Sequence, residues 1–283
     1  MTESLRRSEP DRVPRAALPW TLAMATLSVF VAALAAVAIL VYRSQTMRPC
    51  CNAEYWIARD AAWIGHNVFL VVGLLEAALV AAIAPAVTLW RADGSPGRTT
   101  LAAAGWLLLL IVAALPVTVL ALLLGGVGLR DVATTQASLL AAGLLASQIA
   151  LLCASLWRRR AAATAAAYGV QAYLFVQPIL LLALIWSMTR SGPTPVPVLA
   201  AMQLWPFAAV LMHSKATATP AGLLTWWVQV TTVQTALAAA LFVLTVRLRD
   251  PGVRWTRWAL VLLGLVLVRW MVAVAATPVG PFG

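Results

Sequence analysis

The chain has 283 residues, of which 63% are hydrophobic and only 10% charged, and 20 Lys+Arg against 9 Asp+Glu give a formal net charge of +11. Soluble domains run about 45–50% apolar and about 25% charged, so an ordinary soluble domain is excluded, and long apolar blocks point instead to membrane-spanning helices. The arginines sit at the ends of those blocks, where membrane topology needs them, so the basic balance is read as orientation and not as nucleic-acid binding.

Taken in chain order, Arg6, Arg7, Arg12 and Arg15 precede an uncharged run from Ala16 to Tyr42. That run is too long for a signal-peptide core of about 7–15 residues, so it is expected to be a first span, kept in the mature protein, behind a cytoplasmic tail over 1–19. Further spans are expected at about 66–90, 100–123, 132–157, 163–188, 222–246 and 256–277. Backbone polar groups in hydrocarbon must pair internally, so each span should be helical. The fold class expected is all-α, a polytopic bundle of six to seven transmembrane helices. Tryptophans including Trp20, Trp90, Trp157, Trp186 and Trp258 lie at or near block ends, as an aromatic belt requires.

One segment breaks the pattern. "SGPTPVPVLAAMQLWPFAAVLMHSK" (Ser191 to Lys215) is apolar but interrupted by Pro193, Pro195, Pro197 and Pro206. Its unbroken pieces are too short to cross, so it is expected as a broken outer segment before the sixth span, either a gate, with Pro206 and Phe207 in it, or a lid. Counting arginines sets the orientation. With the N-terminus inside, inner segments carry 13 arginines and outer segments carry six basic residues, which favours a cytoplasmic N-terminus. "LWRRRAAATAAAYG" (Leu156 to Gly169) is then a short cytoplasmic turn whose arginines orient a hairpin and touch anionic headgroups.

Catalytic signatures are missing: there is no GxxxxGK[ST] phosphate loop and no HExxH. No metal or cofactor is expected from two histidines, His66 and His213, and the glycines of "LGGVGLRD" (Leu124 to Asp131) are read as ending span three. Cys50 and Cys51 are adjacent and are read as unpaired loop thiols, while Cys153 is read as a small packing residue. Two charges fall inside spans, Glu76 in the second and Arg269 in the seventh. Such residues usually face protein or water. Both are expected roughly 12–15 Å from the outer ends of their spans, which permits a Glu76–Arg269 ion pair on a substrate path; the alternative is a protonated Glu76 and a snorkelling Arg269.

The order of these segments resembles the membrane-spanning permease subunits of ABC transporters of the ABC-2-type export class. The stretches that carry the resemblance are "EAALVAAIAPAVT" (Glu76 to Thr88), "ALPVTVLALLLGGVGL" (Ala114 to Leu129), "LWRRRAAATAAAYG", "LWPFAAVL" (Leu204 to Leu211) and "TWWVQVTTVQTALAAALFVLTVRLR" (Thr225 to Arg249). It implies a six-span permease domain over 20–249 in a bacterial inner membrane, paired with an identical or different second permease. It also implies a separate cytoplasmic ATPase gripping turns at Arg91 and Arg98 and at Arg158, Arg159 and Arg160, and an outer gate around Pro206 and Phe207. This chain would itself be the non-catalytic subunit. Three features depart from the family. The amphipathic helix that commonly precedes span one is not evident in "MTESLRRSEPDRVPRAALPW" (Met1 to Trp20). "RADGSPGRTT" (Arg91 to Thr100) stands where the family has a longer stretch with a coupling helix, and Gly94, Pro96 and Gly97 make it a turn. Residues 250–283 add a seventh span and a short tail. The rival expectation is an accessory or assembly membrane protein that keeps the permease fold without ATPase coupling.

Overall fold

The computed structural model describes residues 53–188, 220–250 and Gly264. The first expected span, the seventh apart from Gly264, the broken segment with Pro206 and Phe207, and Cys50, Cys51 and Arg269 lie outside the described residues. Among the described residues the structure is all-helical: α1 Ala53–Trp90, α2 Pro96–Leu124, α3 Leu129–Leu156, α4 Arg160–Met188 and α5 Pro220–Arg249. These coincide with the second to sixth expected spans. Four stretches, Ala61–Trp90, Pro96–Leu124, Leu129–Leu156 and Trp227–Arg249, are long and apolar enough to cross a membrane, the make-up of a multi-pass membrane protein.

Two boundaries differ from the sequence reading. Helix α1 starts at Ala53 rather than near 66, because Glu54, Arg59 and Asp60 end an apolar block without opposing a helix. Pro96 and Gly97 open α2 instead of sitting in the turn. Ser95 is extended at the N-cap and Pro96 follows at the first turn, where a missing N–H costs nothing. The turn proper is therefore only 91–95, and the Thr99 hydroxyl closes it by donating to the carbonyls of Arg91 (3.0 Å) and Ser95 (3.2 Å).

Helix α3 is the centre of the bundle and packs against all four other helices. In its most apolar stretch 67% of residues are buried, against 33% in α2. Water-driven burial is weak between helices in lipid, so close approach has to come from small side chains. The buried run Ala141, Ala142, Gly143, Ala146, Ser147 and Ala150 supplies it. A Cβ on Gly143 would come within 2.6 Å of Leu107 Cδ2 and 2.9 Å of Val80 Cγ1, so α1, α2 and α3 meet at that glycine. Toward one end, Val132 of α3 packs with Val68, Phe69 and Val72 of α1 and Val117 of α2. Toward the other, Leu145, Ile149 and Cys153 of α3 pack with Ala167 of α4 and Ala238 of α5. The outward face of α2 leaves Leu101, Leu108, Val112, Val119 and Leu123 exposed, a stripe suited to lipid.

The glycines after α2 end it. Gly125 has φ +87° and its N–H donates to Leu122 O (3.1 Å). Gly126 has φ +79°, and a Cβ there would stand 2.0 Å from Ala62 O on α1. The chain then enters α3, where Asp131 Oδ2 accepts from the Gly128 N–H (2.8 Å). Gly126→Ala combines a disfavoured backbone conformation with a backbone clash, so it should destabilise the bundle by about 2–3 kcal/mol, read as a lowered thermal midpoint in detergent. Gly97→Ala, with open space around the position, is the neutral control.

Candidate functional site

Two places gather polar chemistry: a buried acid inside the bundle and a basic end where three segments of chain meet.

Glu76 lies near the middle of the membrane-length stretch Ala61–Trp90, somewhat farther from the outer end than the roughly 12–15 Å expected. Counting from an apolar block that began at 66 shortened the outer side of the helix. The side chain is 4% exposed. Its Oε2 accepts from Gln136 Nε2 on α3 (2.8 Å), while Glu76 Oε1 and Gln136 Oε1 have no hydrogen-bond partner among the described residues. The expected Glu76–Arg269 pair involves a residue outside the described ones. Gln136 was not singled out from the sequence, although an amide within an apolar block was the available signal.

Gln136 belongs to a polar series along α3. Ser138 Oγ lies 3.1 Å from Thr231 Oγ1 of α5, and Trp227 Nε1 donates to Thr134 O one turn away. Farther along, Gln148 Nε2 donates to Thr100 Oγ1 of α2 (3.0 Å). From α4, the Tyr168 hydroxyl reaches Ala82 O of α1 (2.7 Å). These bonds cross between helices and help fix which faces meet. Among the described residues no group of three or more His, Cys, Asp or Glu side chains could hold a metal ion.

The basic end collects the 91–95 turn, the 157–159 turn and the terminus of α5. Asp93 forms an ion pair with Arg160, so the two turns are joined directly. Arg249 joins the third element: its Nη2 donates to Ala92 O (2.9 Å), its Nη1 to Gly94 O (2.9 Å) and its Nε to Ser155 Oγ (3.0 Å). Only a planar guanidinium offers three such donors in fixed directions. Arg91 stacks over its neighbour Trp90 with 5.5 Å from guanidinium to ring centroid. Arg98, Arg158 and Arg159 are exposed. The structure therefore brings Arg91 and Arg158 to Arg160 to the same end of the bundle, with Arg98 beside them in the first turn of α2 rather than in the connecting turn expected for it. Arg249 is the residue the sequence reading missed, because in an arginine count it is one of thirteen.

Beside the ion pair, an open cleft of about 330 Å³ is lined by Trp90, Asp93, Trp157, Arg158, Arg160 and Thr164, with small apolar residues behind them. No family model, no curated protein and no solved structure matches the chain.

Arg249→Lys keeps the charge but loses the fork that reaches Ala92, Gly94 and Ser155 together. Discounted for solvent exposure, the loss is about 1 kcal/mol, or roughly a fivefold rise in opening of the 91–95 turn. Limited proteolysis of that turn in detergent should show the increase, and Arg247→Lys should leave cleavage unchanged.

Proposed function

We propose that the chain is the permease subunit of an ATP-driven exporter of the ABC-2 type, working with a separate cytoplasmic ATPase. In this reading it lies in a bacterial inner membrane with its N-terminus in the cytoplasm. It has six to seven spans and pairs with a second permease. The observation that supports it is the convergence of the 91–95 turn, the 157–159 turn and Arg249 on one basic end. Any ATPase that drives helix movement must grip the bundle at its cytoplasmic end. A grip there would act on α1 through α5 together, because Asp93–Arg160 and Arg249 tie their ends. The resemblance of the ordered segments supports the same reading.

One observation favours the accessory reading. The 91–95 turn presents no helix for docking, and its carbonyls and carboxylate are already engaged by Arg249 and Arg160. Purifying the tagged chain from native membranes in mild detergent and identifying its partners separates the two. The exporter reading expects a stoichiometric nucleotide-binding subunit, with ATP turnover falling at least roughly tenfold when Arg158, Arg159 and Arg160 are all changed to Gln. A chain recovered without any nucleotide-binding subunit would establish the accessory reading instead.

A further inference from the structure

The cleft at the basic end has a chemistry of its own, independent of any ATPase. Two tryptophans, Trp90 and Trp157, line it, and tryptophan is the residue of the membrane–water interface. It lies where membrane-length helices end, with the apolar Leu89 and Ala163 forming part of its wall. Its charges are unequal. Asp93 is engaged with Arg160, while Arg158 has no partner among the described residues, so these three side chains leave one positive charge unbalanced. The first turn of α4, with its positive dipole end, borders the same space through Arg160, Ala163 and Thr164. At about 330 Å³ the space is at the small end of ligand clefts, which run about 300–1,000 Å³.

We propose that this cleft binds the headgroup phosphate of an anionic phospholipid, a phosphodiester of charge −1, with Arg158 as its principal donor. A phosphodiester matches the single unbalanced charge, and a planar guanidinium is suited to two phosphate oxygens at once. The tryptophans and the apolar wall take the glycerol backbone and the start of the acyl chains. A zwitterionic headgroup fits less well, because the one carboxylate that could meet its ammonium is already bonded to Arg160. Basic pockets between helices at the cytoplasmic side are a general means of holding anionic lipid; here the residues and the charge balance are specific.

The test uses the full chain alone. It is reconstituted with equimolar phosphatidylglycerol and phosphatidylcholine, extracted in mild detergent, and weighed with its retained lipid by native mass spectrometry. In detergent the diffuse surface potential of a bilayer is gone, so only lipid held by a site remains. The expected result is retention of phosphatidylglycerol over phosphatidylcholine. That retention should fall about tenfold in Arg158→Gln and in Trp157→Ala, and be kept in Arg159→Gln, which removes the same charge outside the cleft lining. Arg158→Lys should recover part of the loss. Thermal midpoints of the variants report folding, and Trp157→Ala serves if Arg158→Gln proves unstable. Equal retention of the two lipids, or equal losses in Arg158→Gln and Arg159→Gln, overturns the proposal. So does displacement of the lipid by excess inorganic phosphate, which would make the site one for a free anion.

Discussion

Inside a bilayer only the protein can satisfy a polar group, and that constraint decides which helix sits in the middle. Helix α3 carries buried Thr135, Gln136, Ser138, Ser147 and Gln148, more polar chemistry than a lipid-facing helix could keep. Three of them find partners on its neighbours, Gln136 at Glu76 of α1, Gln148 at Thr100 of α2 and Ser138 at Thr231 of α5, while Ser147 donates to Gly143 O within α3 and Thr135 Oγ1 has no partner among the described residues. Because these partners lie on different helices, α3 must be surrounded to be satisfied. Its small residues, centred on Gly143, let the surrounding helices come close enough to do so. Interhelical bonds of this kind average only about 0.6 kcal/mol each in membranes. Their larger effect is to fix which faces meet, since an apolar bundle of Ala and Leu would tolerate many rotations.

The same economy of partners governs the basic end, where water is near. Short turns leave backbone carbonyls uncovered, and Arg249 takes those of Ala92 and Gly94 while Asp93 holds Arg160. The outcome is that connecting turns far apart in sequence behave as one surface. Both functional readings start from that surface. An exporter would use it to receive motion from an ATPase, and an accessory protein would use it as a fixed face. The lipid cleft beside it fits either, because it depends on the unbalanced Arg158 and the two tryptophans rather than on a driving partner.

Much of the helical plan was legible because hydropathy and charge are local. Blocks bounded by Arg91, by the glycines at 125–128 and by Arg158–Arg160 fall close to the observed ends of α1 to α4. The failures are also physical. Glu54, Arg59 and Asp60 hid the start of α1, because charge marks the edge of a membrane core but not of a helix. Pro96 and Gly97 looked like a turn because proline breaks a helix interior, yet it is tolerated in the first helical turn. Glu76 stood out as an acid in an apolar run, but its partner Gln136 lies 60 residues away in sequence. Nothing local announces such a pair. Arg249 was hidden differently, since its role depends on three acceptors that only the folded turns bring together.

The claim that α3 is the polar centre, locked against α5, is tested most directly at Ser138 and Thr231, whose hydroxyl oxygens stand 3.1 Å apart. With Cys50, Cys51 and Cys153 changed to Ser, the pair Ser138→Cys and Thr231→Cys is introduced and oxidised in native membranes. After cleavage of the chain between α3 and α5, the two fragments should stay joined until reductant is added. A control pairing Ser138→Cys with Thr232→Cys, where Thr232 is exposed on a different face of α5, should separate. Separation of both pairs, or equal joining of both, would contradict the packing on which the rest is built.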